Sequence, residues 1–159
     1  MNEINFFDKY NKNNLIDNYK NIFEELLFAA KKILDIKENL ELSVIFISDE
    51  ESLEIEKVYR GVEKIGDVIS FPAEDNLIES NVKELGDIFI AFDEANRKAI
   101  KFNHDIKTEM AWCFVHGLLH IMGYDHELGE KEEDEMFKLT DDILHELNIK
   151  YNIEKVIGE

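Results

Sequence analysis

Trp112-Cys113-Phe114-Val115-His116-Gly117-Leu118-Leu119-His120-Ile121-Met122-Gly123-Tyr124-Asp125-His126 is the stretch on which the reading of this chain turns. Trp112, Phe114, Val115, Leu118, Leu119, Ile121 and Met122 make it apolar on almost every side, and a helix of that kind has to be buried, so the rest of the chain must wrap it. Three of the five histidines fall inside it. His116 and His120 are four residues apart, which on a helix sets them about 40° apart around the axis and roughly 6 Å along it. Gly123 can end the helix in a left-handed residue and turn the chain back, bringing His126 to the same point. A buried imidazole without a partner is costly, and a metal ion satisfies several at once. Three imidazoles with one position left open is the arrangement of a catalytic zinc. His104 and His145 lack such company and read as ordinary hydrogen-bonded core residues, and Cys113 reads as a packed apolar residue before it reads as a fourth ligand. Asp125 and Glu127 flank the third histidine, where a carboxylate can accept the other imidazole N–H.

Outward from this segment, the chain has the length of one domain, 159 residues at 45% hydrophobic, enough to close a core unaided. We expect a single domain over residues 1–159, because no Pro/Gly/Ser-rich linker or internal repeat divides it. Residues 15–34 carry Leu15, Tyr19, Ile22, Leu26, Ala30 and Ile33 at helical spacing. Leu40 to Ile47 ends in Val44-Ile45-Phe46-Ile47, a strand covered on both faces. Ser48 and Glu51 form a capping-box pattern for a helix through about Arg60. Gly66 to Phe71 and Gly86 to Phe92 read as two further strands, with Pro72 ending the first and a polar loop from Ala73 to Lys83 between them. Asp93 and Asp105 are candidate N-caps of two helices, reaching about Asn103 and Met122, and a last helix runs from about Glu130 to Leu147. The expected architecture is α/β (α+β): a small mixed sheet covered by helices, with a helical C-terminal third carrying the zinc site.

The net charge of −18 argues against nucleic acid in general, since that binding needs Lys and Arg against the phosphates. Nine Asp and Glu between Glu127 and Glu146 account for much of it and read as a solvated helix face. Lys57, Arg60 and Lys64 recur within eight residues and leave room for a locally basic cleft. A lone cysteine, an N-terminus without a basic and apolar leader pattern, and no long apolar run point to the cytoplasm and away from a membrane.

The spacing His-x3-His-x2-Gly-x2-His is also that of metzincin proteases, whose general base is the glutamate after the first histidine. Gly117 stands there, so a protease would lack its base. His116 to His126 with that glycine, Tyr59-Arg60 followed by Asp67-Val68-Ile69-Ser70-Phe71-Pro72, and Leu85-Gly86-Asp87-Ile88 occur in one order. In these three motifs, across roughly residues 40–147, the chain resembles the YbeY-type rRNA maturation factors. The resemblance implies a single-strand-specific, zinc-dependent endoribonuclease acting towards the 3′ end of small-subunit rRNA and in ribosome quality control. It implies His116, His120 and His126 as ligands of one Zn2+, and Arg60 as the catalytic cation of the cleft. It also implies single-stranded rRNA as a partner rather than DNA, while the acidic surface suits basic ribosomal proteins as further partners. A guanidinium fork suits phosphate and the charge that grows in phosphoryl transfer. Gly66, Glu56 and Thr140 depart from that family's usual threonine, asparagine and glutamate. A ribosome-assembly module with a structural zinc is the alternative reading, and a protease without its base the third.

Overall fold

The computed structural model describes residues 2–74 and 82–151. In chain order these form β1 (Glu3–Asp8), α1 (Leu15–Leu34), β2 (Asn39–Ile47), α2 (Asp49–Arg60), β3 (Val68–Pro72), β4 (Val82–Ala91), α3 (Phe92–Lys101), α4 (Ile106–Ile121) and α5 (Glu130–His145). The four strands make one sheet in the order β1-β2-β4-β3, in which β1, β2 and β4 are parallel and β3 runs antiparallel to β4. The expected mixed sheet covered by helices is therefore what forms.

β2 shows why the layers arrange as they do. Leu40, Leu42, Val44 and Phe46 alternate onto the face that carries the main core, while Ile45 and Ile47 point the other way, packing with Ala91, Ile55 and Phe89 beneath α2. α1 lays Leu15, Tyr19, Phe23 and Leu26 against the main core, and Phe23 stacks on Phe114 of α4 with ring centroids 4.4 Å apart. α4 is the axis of that core: every residue from Glu109 to Leu119 is buried, as its all-round apolarity demands. Burial of each such Leu or Phe side chain contributes roughly 1.5–3 kcal/mol.

Gly86 sits where a bulge interrupts the β2–β4 register, so Leu85 and Ile88 both reach the main core. Its φ is +135°, and a Cβ there would lie 2.2 Å from the Phe71 carbonyl oxygen, so only glycine lets β3 and β4 approach at this point.

Several elements differ from the sequence expectation. β1 was not anticipated; it is a short edge strand with Phe7 half exposed, and its order comes from pairing with β2 across more than thirty intervening residues. β3 begins at Val68 rather than Gly66, and β4 begins at Val82, before Gly86. The connecting loop expected from Ala73 to Lys83 lies largely outside the described residues. Asp93 is not a cap: α3 starts at Phe92 with Ala91 as its N-cap, because the Asp93 carboxylate accepts the Tyr10 hydroxyl at 2.7 Å. That bond, with burial and the Asp93 charge, pushes the Tyr10 pKa up to about 12. α5 ends at His145, which is exposed and not a core residue.

Candidate metal centre

Local chemistry sets each part of the site in place. Asp105 caps α4 by accepting the Thr108 amide at 3.0 Å, and the helix runs unbroken past His116 and His120. It stops at Met122. Gly123 takes φ +106°, with open space around the missing Cβ, and the Tyr124 amide bonds back to the Leu119 carbonyl at 3.1 Å. This reversal returns His126 to the helix. The three imidazole centroids stand 5.1 to 5.5 Å apart, and one ring nitrogen from each lies within 4.8 Å of the others. Two nitrogens on a tetrahedral zinc would be roughly 3.3 Å apart, so small side-chain adjustments close the cage.

The donor set fits a metal on two further grounds. His116 Nδ1 and His126 Nδ1 are buried and have no hydrogen-bond partner among the described residues. Burial, followed by the charges of His126 and His120, pushes the His116 pKa down to about 3, which keeps its lone pair free at neutral pH. His120 is also lowered, first by burial and then by His126, with Asp125 and Glu127 acting against the shift. Trp112 stacks on His116 at 4.4 Å and Phe137 of α5 flanks His126 at 6.3 Å, so the triad has an apolar wall.

Two clefts of about 500 and 240 Å³ meet at the triad, and Arg60, His116, His126 and Glu127 line both. Arg60 is the last residue of α2, where Gly61 in the left-handed region stops the helix. Its guanidinium is held between Glu56, at 3.5 Å, and Glu127, at 3.7 Å. Ser52 bonds both the amide and the carbonyl of Gly66, at 3.0 and 2.6 Å, and so ties the segment after α2 back against the helix. Two departures from the family pattern meet here: a Cβ at Gly66 would lie 3.3 Å from Cδ of Glu56, so the glycine makes room for the larger carboxylate. Glu56 is buried, and among the described residues its Oε1 lacks a hydrogen bond and pairs only with Arg60. Thr140, the third departure, is buried and its hydroxyl donates to the Met136 carbonyl at 2.8 Å.

Gly117 explains why no glutamate follows His116. A Cβ there would meet Ile88 Cγ2 at 2.8 Å, Ser70 Oγ at 3.0 Å and Val68 Cγ2 at 3.2 Å, so α4 lies directly on β3 and β4 and leaves no space for a carboxylate. Asp125 and Glu127 do not orient an imidazole among the described residues. Asp125 Oδ1 accepts the Glu127 amide at 2.9 Å, and Glu127 pairs with Arg60. Cys113 is packed with Asp67 and Glu109 and takes no part in the triad. His104 is bonded to Glu109 at 2.7 Å, as its sequence context indicated, and Arg97 is in surface pairs with Asp49 and Glu94. Of the three expected basic residues, Arg60 and Lys64 line the larger cleft with Lys98, which no motif marks. Lys98 was missed because α3 reads only as an amphipathic surface helix.

The family model described as Endoribonuclease YbeY matches residues 5–148, so the likeness extends over β1 and α1, beyond the motif-bearing part of the chain. The chain is 41% identical over 157 residues to the protein named Endoribonuclease YbeY of Mycoplasma mycoides, covering 97% of this chain and 94% of that one. With the Mesoplasma florum protein of the same name it shares 40% over 142 residues, covering 87% and 84%. The solution structure of TM1509 from Thermotoga maritima aligns with a TM-score of 0.57 at 25% identity over 91% of each chain. A triad built by α4 and its reversal, an arginine at the end of α2 and this breadth of similarity have one common explanation: the chain belongs to the endoribonuclease YbeY family.

Proposed function

We propose that the protein is a zinc-dependent endoribonuclease of single-stranded RNA. Its setting would be rRNA maturation at the 3′ end of the small-subunit RNA and ribosome quality control, in the cytoplasm. The observation that carries this reading is the convergence of three imidazoles and Arg60 on two adjoining clefts. His116, His120 and His126 would hold the ion. When bound, zinc supplies a Lewis acid for a phosphate oxygen and lowers the pKa of water to near 7.

The chain's own residues supply position and charge. Arg60, half exposed at the cleft, presents a planar donor fork to the phosphodiester, with Glu56 and Glu127 flanking it at 3.5 and 3.7 Å. Trp112 and Phe137 keep water off one side of the triad, which strengthens each charge interaction there. The protease reading needs a glutamate where Gly117 meets the sheet, and digestion of casein no faster than by metal-free protein is its expected outcome.

The test is cleavage of single-stranded RNA by zinc-loaded wild type, His120→Ala and Arg60→Ala, with metal content measured in each. We expect one zinc per wild-type chain, loss of zinc and cleavage in His120→Ala, and retained zinc with cleavage reduced about 100-fold or more in Arg60→Ala. Uncut RNA with fully loaded wild type overturns the proposal. Substrates carrying a 2′-deoxy sugar at the cut separate attack by the ribose hydroxyl from attack by water.

A further inference from the structure

Lys98 lines the same 500 Å³ cleft as Arg60, His116 and His126, yet belongs to none of the motifs that mark the site. Its side chain is only about one-third exposed (31%), and its ammonium lies 3.2 Å from Asp67 Oδ2. Asp67 is itself fixed: Oδ1 accepts the Val68 amide at 2.9 Å, and Oδ2 faces the Cys113 thiol at 3.7 Å. Burial works to lower the Lys98 pKa and Asp67 more than restores it, so the side chain stays charged. The charge also reaches the metal triad, where it helps keep His116 neutral.

The neighbouring group of Asp67, Glu109 and Cys113 has metal-like spacing, but its carboxylates already have partners in Lys98, His104 and Tyr151. The unused capacity lies on the ammonium. Among the described residues Asp67 is its one ion-pair partner, which leaves other donor directions for a ligand in the cleft. A lysine held in place by a buried carboxylate also loses less side-chain freedom when it binds.

We propose that Lys98 is a second phosphate-binding cation of the cleft, so that the RNA backbone is gripped by Lys98 as well as Arg60 beside the histidine triad. This rests on the endoribonuclease reading above. A lysine acting this way contributes to substrate binding and to its salt dependence. One that only pairs with Asp67 would contribute to stability alone.

The experiment measures kcat and KM of the zinc-loaded protein on a single-stranded oligoribonucleotide across a range of salt concentrations. The variants are Lys98→Gln, Lys98→Arg, Asp67→Asn and the double change Asp67→Asn/Lys98→Gln. Lys98→Gln is expected to raise KM about tenfold, the size of one hydrogen bond to a charged group. Its kcat should stay within about twofold, and the slope of log(1/KM) against log salt should shrink by about 0.7. Lys98→Arg should recover both quantities, and Asp67→Asn should keep the wild-type slope. The double variant leaves no unpaired buried charge, so it reports the same losses should Lys98→Gln fold poorly. Wild-type KM and slope in folded Lys98→Gln or in the double variant overturn the inference and leave the endoribonuclease reading intact. Equal losses in Asp67→Asn and Lys98→Gln also overturn it, by reducing Lys98 to an ion pair. Loaded wild type that leaves the RNA uncut removes the reading beneath it.

Discussion

Gly117 shows how much a missing side chain can do. In an exposed helix, Gly→Ala gains about 1 kcal/mol from propensity. Here the added methyl would press on Ile88, Ser70 and Val68 at 2.8 to 3.2 Å, and overpacking of that kind costs about 1–3 kcal/mol. The packing term wins, so Gly117→Ala should lower the thermal midpoint by several degrees in a calorimetric scan. Glu109 sets a second expectation, for pH. Burial raises its pKa above the ordinary 4.5, with the Asp67 charge adding and the bonds from His104 and Tyr151 opposing. The folded protein therefore keeps this proton to higher pH than the unfolded chain. Its contribution is fully present below about 4.5 and is lost as pH rises through the folded-state value. Urea midpoints compared at several pH values should fall less steeply with rising pH in Glu109→Gln than in wild type. An identical dependence would remove Glu109 as the source.

At the scale of elements, the site is made by two helix ends. α2 starts on Ser48, whose hydroxyl accepts the Glu51 amide at 3.2 Å, and it stops at Gly61, so its length alone decides that Arg60 is its last residue. The second end is that of α4. At φ +106°, Gly123 holds a conformation that L-residues rarely adopt, and it has no close neighbours, so the cost of substitution there is backbone strain alone. Gly123→Ala should cost about 1–2 kcal/mol. If the turn relaxes to relieve it, His126 moves off the triad, and zinc affinity in a chelator competition should drop roughly tenfold. Unchanged affinity would show that the reversal tolerates a side chain. Both ends were legible in the sequence, because caps and left-handed glycines are local signals. Asp93 was misread for a complementary reason. Its local pattern suits a cap, but a hydroxyl from Tyr10, far away in the chain, takes the carboxylate instead.

For the whole molecule, the question is how a chain of net charge −18 holds RNA. The larger cleft is lined by three cations, Arg60, Lys64 and Lys98. Against them stand four carboxylates, those of Glu56, Asp67, Glu127 and Glu133. A divalent ion on the triad turns this local balance from slightly negative to slightly positive. Metal-free protein should accordingly bind single-stranded RNA more weakly than loaded protein, and the difference should narrow as salt is raised. Equal affinities in a fluorescence titration would mean that the ion's charge plays no part in binding.

The histidine triad, the buried α4, the extent of α1, the capping of α2 and α4 and the family can all be read from the amino-acid order, because each depends on residues close together in the chain or on motifs with fixed spacing. Folding is what brings β1 into the sheet, fits Glu56 against Gly66, sets Glu127 beside Arg60 and turns Lys98 into the cleft. Each of these is a meeting between segments distant or separately folded along the chain, and contact of that kind is set by how the layers pack rather than by any local pattern.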